Sequence, residues 1–194
     1  MIDLTDLSNN LTNLITKDLD YDEDKKEIIT YSIETSLLAI IGTLLLVLFA
    51  MIANVLKPAL IAAFFGVLLR RVSGGAHFST PTKCLVFGAV LYTLLGVLAE
   101  TFVEYQVLHN YMIWLSLAIS LLIVAYLAPV DSESKPIHSK SLRKKLKASS
   151  VGFVVIALII GLVSADPLLN VSMCLGILYQ SLTLLPLFNR GGGG

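Results

Sequence analysis

The chain has 194 residues, 56% of them hydrophobic and only 14% charged, with no net formal charge and a mean hydropathy of +0.81. A soluble domain carries about 25% charged residues, so the composition excludes an ordinary water-soluble globule and points to lipid as the solvent. The zero balance offers no footprint for nucleic acid. Two cysteines, Cys84 and Cys174, are too few for a disulfide scaffold and lack the paired spacing of a zinc site. Neither a metal nor a cofactor is expected.

In chain order, the opening MIDLTDLSNN lacks the basic stretch and apolar core of a signal peptide. Over residues 2 to 19, Ile2, Leu4, Leu7, Leu11, Leu14, Ile15 and Leu19 recur at spacings near three and four, with Asp3, Asp6, Asn9, Asn10 and Lys17 between them. That period predicts an amphipathic helix, lying on a membrane surface or packed on its own subunit. The acidic stretch DLDYDEDKKE then breaks the pattern.

Apolar runs follow at about 35–56, 58–69, 84–105, 110–128, 149–165 and 167–187. Most approach the roughly 20 residues needed to cross a bilayer core. The second is short, and reads as a tilted span, a half-helix or the second limb of a hairpin turned at Lys57-Pro58. Pro58 suits a first helical turn. The expected fold is an all-α membrane protein of about six transmembrane helices plus the N-terminal amphipathic helix. The domain limits are 1–33 for the N-terminal segment, 34–188 for the transmembrane unit and 189–194 for a tail.

Charge sets the orientation. If all six runs cross, thirteen of the fourteen basic residues fall on one side and only Lys57 on the other. The positive-inside rule makes the crowded side cytoplasmic, with both termini. The outer connections, YQVLHN and the Asp166-Pro167 turn, carry no Lys or Arg.

One polar stretch, LLRRVSGGAHFSTPTKCLVFG at 68 to 88, holds both a nucleophile and a base. Cys84 supplies a thiol and His77 a proton acceptor, the minimum for cysteine acyl transfer. In one continuous helix their separation of seven residues would leave them about 10 Å apart along the axis. Gly74 and Gly75 permit unusual backbone angles, and Pro81 disfavours helix at Thr80, so the segment can fold back. Cys84 also falls where the next helix starts. There the helix N-terminus, Lys83, Arg70 and Arg71 all favour an anion, and backbone amides are available as an oxyanion hole. The plainer alternatives are a packed cysteine and a solvated histidine.

The string Arg70-Arg71-x-x-Gly74-Gly75-x-His77, with Cys84 seven positions on, resembles the signature of the accessory gene regulator B (AgrB) family, membrane endopeptidases of Gram-positive quorum sensing. Ala128-Pro129-Val130-Asp131-Ser132, then Lys135-Pro136-Ile137, is similar to that family's motif after its fourth hydrophobic segment. The basic loop SKSLRKKLK and the chain's size agree, and the resemblance runs from about residue 35 to 187. It implies a thiol protease of the cell membrane acting on an AgrD-like propeptide, which has an amphipathic leader, a signal sequence with an internal Cys or Ser, and a charged tail. By that resemblance Cys84 attacks the bond before the tail with His77 as general base. A thioester forms, and the propeptide's own thiol then closes a thiolactone autoinducing peptide. A homodimer is also implied.

Other residues have two readings each. Arg70 and Arg71 bind an acidic tail or anchor the chain at headgroups. Gly75 meets a backbone requirement, and Ser73 is a candidate to orient His77. Asp131 either holds the imidazole tautomer or turns the loop, with Lys135 as its partner. Lys140, Arg143, Lys144, Lys145 and Lys147 meet anionic lipid or the acidic tail. Glu100 and Glu104 lie near an outer interface, and Cys174 reads as a packing residue. Ala62-x-x-x-Gly66 and the glycines at 88, 96 and 161 suit close helix approach, within the chain or in a dimer. The competing class is a non-enzymatic membrane exporter or transporter of a peptide. Such a protein has no need of a thiol beside an imidazole.

Overall fold

A backbone in lipid has no water to satisfy its N–H and C=O groups, so apolar runs of this length are expected to close into helices. The structure, a computed structural model, describes residues 4–17, 19, 21–75, 80–106, 110–130 and 139–188. Among them are seven helices and no strand: α1 Leu4–Thr16, α2 Glu23–Ile52, α3 Leu56–Ser73, α4 Pro81–Glu104, α5 Asn110–Leu127, α6 Lys140–Val163 and α7 Pro167–Leu182. The protein is therefore all-α, as its composition requires. By length and composition α2, α4 and α6 can each cross a membrane, and α5 and α7 are shorter apolar helices.

Local sequence explains where the helices begin. Asp22 caps α2 by accepting from Lys25 N at 3.0 Å, and Glu23 and Asp24 in the first turn complement the helix dipole. The acidic stretch is thus the start of a 30-residue helix that runs unbroken through residues 33 and 34. The short second run becomes an 18-residue helix, about 27 Å long, with Pro58 in its first turn and Arg70-Arg71 in its last. Asp166 caps α7, accepting from Leu168 N at 2.9 Å and Leu169 N at 3.3 Å, and Pro167 opens that helix.

α3 sits centrally, packed on α7, α4, α6 and α2. Its small face makes this possible, since Ala59, Ala62 and Gly66 are all buried. A Cβ at Gly176 of α7 would strike the Ala62 carbonyl, one at Gly96 of α4 would lie 2.9 Å from Ala59, and the Tyr92 hydroxyl of α4 covers Gly66. Between helices in lipid such close approach supplies the dispersion energy that a hydrophobic drive supplies in water. The Ala62-x-x-x-Gly66 pair is thereby engaged inside the protomer rather than left for a second copy. Gly161 packs on Trp114 and Met173, whereas Gly88 has nothing within 4 Å of where a Cβ would stand. Around α7 the core holds Leu69, Leu117, Val124, Val154, Met173 and Ile177.

The amphipathic N-terminal helix forms and packs on α2, but through a face beside its leucine stripe rather than through the stripe itself. Ser8, Thr12 and Thr16 are the buried side chains, while Leu14 is 72% and Ile15 59% exposed. Each buried hydroxyl bonds a carbonyl of α1 itself, Ser8 to Thr5, Thr12 to Ser8 and Thr16 to Thr12, and Thr30 of α2 donates to the Thr12 hydroxyl at 2.9 Å. Small satisfied side chains let the helices close up, and the apolar stripe is left facing outward.

The connections group at two ends. At one end Lys57 bonds Asp166, and a cavity of about 710 Å³ lies among Gln106, Trp114, Ser164, Pro167 and Asn170. At the other, Val130 N donates to the Ser73 carbonyl at 2.9 Å, and Gln180 reaches Gly74. α3, α5 and α7 therefore run toward the same end and α4 and α6 run back, the alternation expected for hairpin-linked segments. Glu100 and Glu104 lie in the last turns of α4, at the Lys57 end.

Candidate functional site

The polar stretch read from the sequence begins at the last turn of α3. Cations there complement the negative end of the helix dipole; Arg70 is half-buried and Arg71 exposed. Ser73 is fully buried. Its hydroxyl donates to the Gly74 carbonyl at 3.2 Å and accepts from Gln180 Nε2 at 3.3 Å. The same Nε2 donates to the Gly74 carbonyl at 2.8 Å.

Gly74 and Gly75 have φ of 70° and 135°, backbone that side-chain-bearing residues rarely adopt. There is also no room for a side chain. A Cβ on Gly74 would strike the Val130 carbonyl, and one on Gly75 would stand 2.7 Å from Thr183 Oγ1 and 3.0 Å from Gln180 Nε2. The diglycine turn is thus wedged between the chain leaving α5 and the end of α7. Val130, from the second matched motif, meets Ser73-Gly74, from the first.

Cys84 is the fourth residue of α4 and half-exposed, and its amide donates to Thr80 O at 3.3 Å. That bond occupies the Cys84 N–H, so the first-turn amides without an intrahelical acceptor are those of Thr82 and Lys83. Both Arg70 and Cys84 come within electrostatic range of Tyr92 and Tyr179, whose rings meet edge-on at 5.9 Å and 84°. Residues from α3, α4 and α7 therefore converge on one neighbourhood. Lys83 is exposed beside it. His77, Asp131 and Lys135, the other expected site residues, lie outside the described residues.

Two features stand apart from this site. Cys174 is 2% exposed and its Sγ lies 3.8 Å from the Ile113 carbonyl, as a packing cysteine does. The 710 Å³ cavity lies at the opposite end of the bundle. The basic cluster Lys140, Arg143, Lys144, Lys145 and Lys147 occupies the exposed first two turns of α6. Positive charge is unfavourable at a helix N-terminus, so helix stability does not account for it.

Sequence reasoning missed Gln180, which is fully buried and bonded to the glycine turn. Its signal was a lone glutamine in the apolar run 167–187, where an amide side chain requires a partner. Tyr92 and Tyr179 were also passed over, as aromatic residues in apolar runs.

Comparison with known proteins matches the family model described as Accessory gene regulator B over residues 8–184. The match reaches well before residue 35 and takes in most of α1. Among relatives, a Clostridium perfringens (strain SM101) protein described as AgrB-like is 26% identical over 93% of this chain and 91% of its own length. The accessory gene regulator protein B of Staphylococcus intermedius is 32% identical over 72% and 71%, and that of Staphylococcus aureus (strain Newman) 30% over 72% and 70%. No solved structure matches. With the family model spanning nearly all of the described helices, this chain belongs to the accessory gene regulator B family.

Proposed function

We propose that this protein is a membrane-embedded cysteine endopeptidase that removes the C-terminal tail of an AgrD-like propeptide and promotes its closure to a thiolactone. The observation that carries this reading is the position of Cys84. It is half-exposed in the first turns of α4, in the same neighbourhood as Arg70, while the glycine turn leading into His77 is fastened to α7.

In the proposed sequence His77 takes the Cys84 proton, and sulfur attacks the carbonyl carbon before the tail. The first-turn amides of Thr82 and Lys83 receive the developing oxyanion. The carbon–nitrogen bond breaks, the imidazolium returns its proton to the leaving amine, and an acyl thioester on Cys84 remains. The propeptide's internal thiol then attacks that carbonyl, its proton passing to His77 and on to the Cys84 sulfur as the ring closes. Thioester exchange is nearly balanced in energy, so exclusion of water decides between ring closure and hydrolysis.

Arg70 and Arg71 hold carboxylates of the tail, with the basic turns of α6 extending that surface to the tail or to anionic lipid. Ser73 and Gly75 shape the approach to His77, and Asp131, with Lys135, holds the imidazole. In this reading α2 to α7 each cross the membrane, the transmembrane unit of 34–188 carries the chemistry, and 1–33 receives the substrate's leader. Both termini and the site face the cytoplasm, and the protein works as a homodimer.

The test is a mass spectrum of the propeptide after incubation with the reconstituted protein. A released tail and a ring lighter by one water than the linear product are expected. The second reading, a non-enzymatic peptide exporter, is favoured by the cavity at the end opposite Cys84. Propeptide that reaches the far side of proteoliposomes with its tail still attached would establish it.

A further inference from the structure

Among the described residues, Gln180 is the one amide side chain tying the end of α7 to the turn between α3 and the His77 segment. Its Nε2 serves two acceptors at once, the Gly74 carbonyl at 2.8 Å and the Ser73 hydroxyl at 3.3 Å, which fixes which end of the amide is nitrogen. Its Oε1 is buried without a hydrogen-bond partner among the described residues. A buried unsatisfied oxygen is destabilising, and an apolar residue of the same size would avoid it. The donor half of this side chain must therefore do something that packing alone does not.

What it holds is fixed from one side by α5, where Val130 N donates to the Ser73 carbonyl, and from the other by Gln180. Gly74 and Gly75 carry no side chains and adopt backbone angles that other residues rarely adopt, so the turn is held by its neighbours. The Gly74 carbonyl takes its shortest bond, 2.8 Å, from Gln180 rather than from the Ser73 hydroxyl at 3.2 Å. Gly75 sits against Gln180 Nε2 and Thr183 Oγ1 with no space for a methyl group. The next residue but one is His77.

We propose that Gln180 is a positioning residue that sets the direction in which the chain leaves Gly75 and so the placement of the His77 imidazole. This rests on the reading of Cys84 and His77 as a nucleophile and its base. Gln180 touches neither substrate nor sulfur. It acts only through His77, and that route has a measurable signature. A misplacement near 1 Å at a reacting group costs on the order of 10²-fold in rate. Gln180→Met keeps length and volume but has no donor, and should lower the rate of tail release about 10²-fold with little change in KM. In a His77→Ala background the same substitution should cost almost nothing more, because the group it positions has gone. Gly75→Ala presses on the same amide from the other side, and should show the same loss and the same lack of additivity.

The experiment is a double-mutant cycle on single-turnover tail release, using full-length protein in liposomes, with inserted protein quantified for each variant. If Gln180→Met does not accumulate in the membrane, the cycle with Gly75→Ala decides. A wild-type rate in Gln180→Met, or losses that multiply in full with His77→Ala, would overturn the positioning role while leaving the Cys84 reading intact. Tail release by Cys84→Ala would instead remove the reaction itself, so the two failures are distinct.

Discussion

Lys57 Nζ and Asp166 Oδ2 stand 3.1 Å apart, although 109 positions separate them in the chain. Lys57 is the lone basic residue that charge counting placed opposite all the others, and its partner is the carboxylate that caps α7. The Lys57 hydrogen bond, helped by the Leu169 and Leu168 amides, holds the Asp166 carboxyl below its ordinary value. A lowered folded-state value means that this stabilisation is complete above the unfolded carboxyl's pKa of about 3.9, and is lost as pH falls through the lower folded one. Both side chains are exposed, so the ion pair contributes only about 0–1 kcal/mol. Thermal melts of the detergent-solubilised protein should drop below about pH 4, and Asp166→Asn, which keeps a cap, should flatten that drop. Asp166→Ala should lose about 1 kcal/mol more as the cap disappears.

For the chemistry, Cys84→Ala and Cys84→Ser should both fail to release the propeptide tail. His77→Ala should lose about 10²- to 10⁴-fold, the usual worth of general acid–base help, with a trace returning at alkaline pH where hydroxide replaces the base. Cys174→Ala should cleave normally, since that thiol is enclosed against Ile113. With a propeptide lacking its internal nucleophile, an adduct on Cys84 should accumulate and be discharged by hydroxylamine. Peptide mapping by mass spectrometry reads all of these results.

Orientation in the membrane is open to a labelling scan in a cysteine-free background. Single cysteines at exposed positions 140 and 144 should react with an impermeant maleimide only from the cytoplasmic side, and one at 106 only from outside. Labelling of position 140 in intact cells would invert the assignment of every connection.

Much of the bundle was legible in the sequence because lipid leaves so few options. Apolar runs give helices, and Pro58, Pro81 and Pro167 mark where three of them start. The position of Cys84 at a helix start followed from the apolar run that opens there, with Pro81 just ahead of it. What could not be read was which residues of a helix meet which neighbour. The leucines of α1 outweigh its hydroxyls in any hydrophobic period, yet Ser8, Thr12 and Thr16 form the contact, because small satisfied side chains pack closer than leucines. Gln180 escaped notice for a related reason. Its role depends on a carbonyl 106 positions away, and a spacing rule within one helix does not reach that far.

Two glycines in helix interiors make a contrasting pair. Gly176→Ala would drive a methyl into the Ala62 carbonyl, and should destabilise the α3–α7 contact by about 1–3 kcal/mol, the usual cost of overpacking. Gly88→Ala meets open space, and should be neutral or gain up to about 1 kcal/mol from helix propensity. Melting temperatures of the two variants in one detergent settle the comparison.

The seam between α1 and α2 has a consequence for how the chain responds to its surroundings. Every α1 hydroxyl in it already donates within α1, and Thr30 of α2 donates across it to Thr12, so neither water nor lipid has a bond to offer or withhold there. The seam is indifferent to the medium, while the outward Leu14 and Ile15 are highly sensitive to it. A change of bilayer therefore acts on α1 from one side only and carries α2 along as part of the same rigid piece. A disulfide between cysteines placed at 12 and 30 should form equally fast in detergent, in thin bilayers and in thick ones, whatever happens to the depth at which the pair floats.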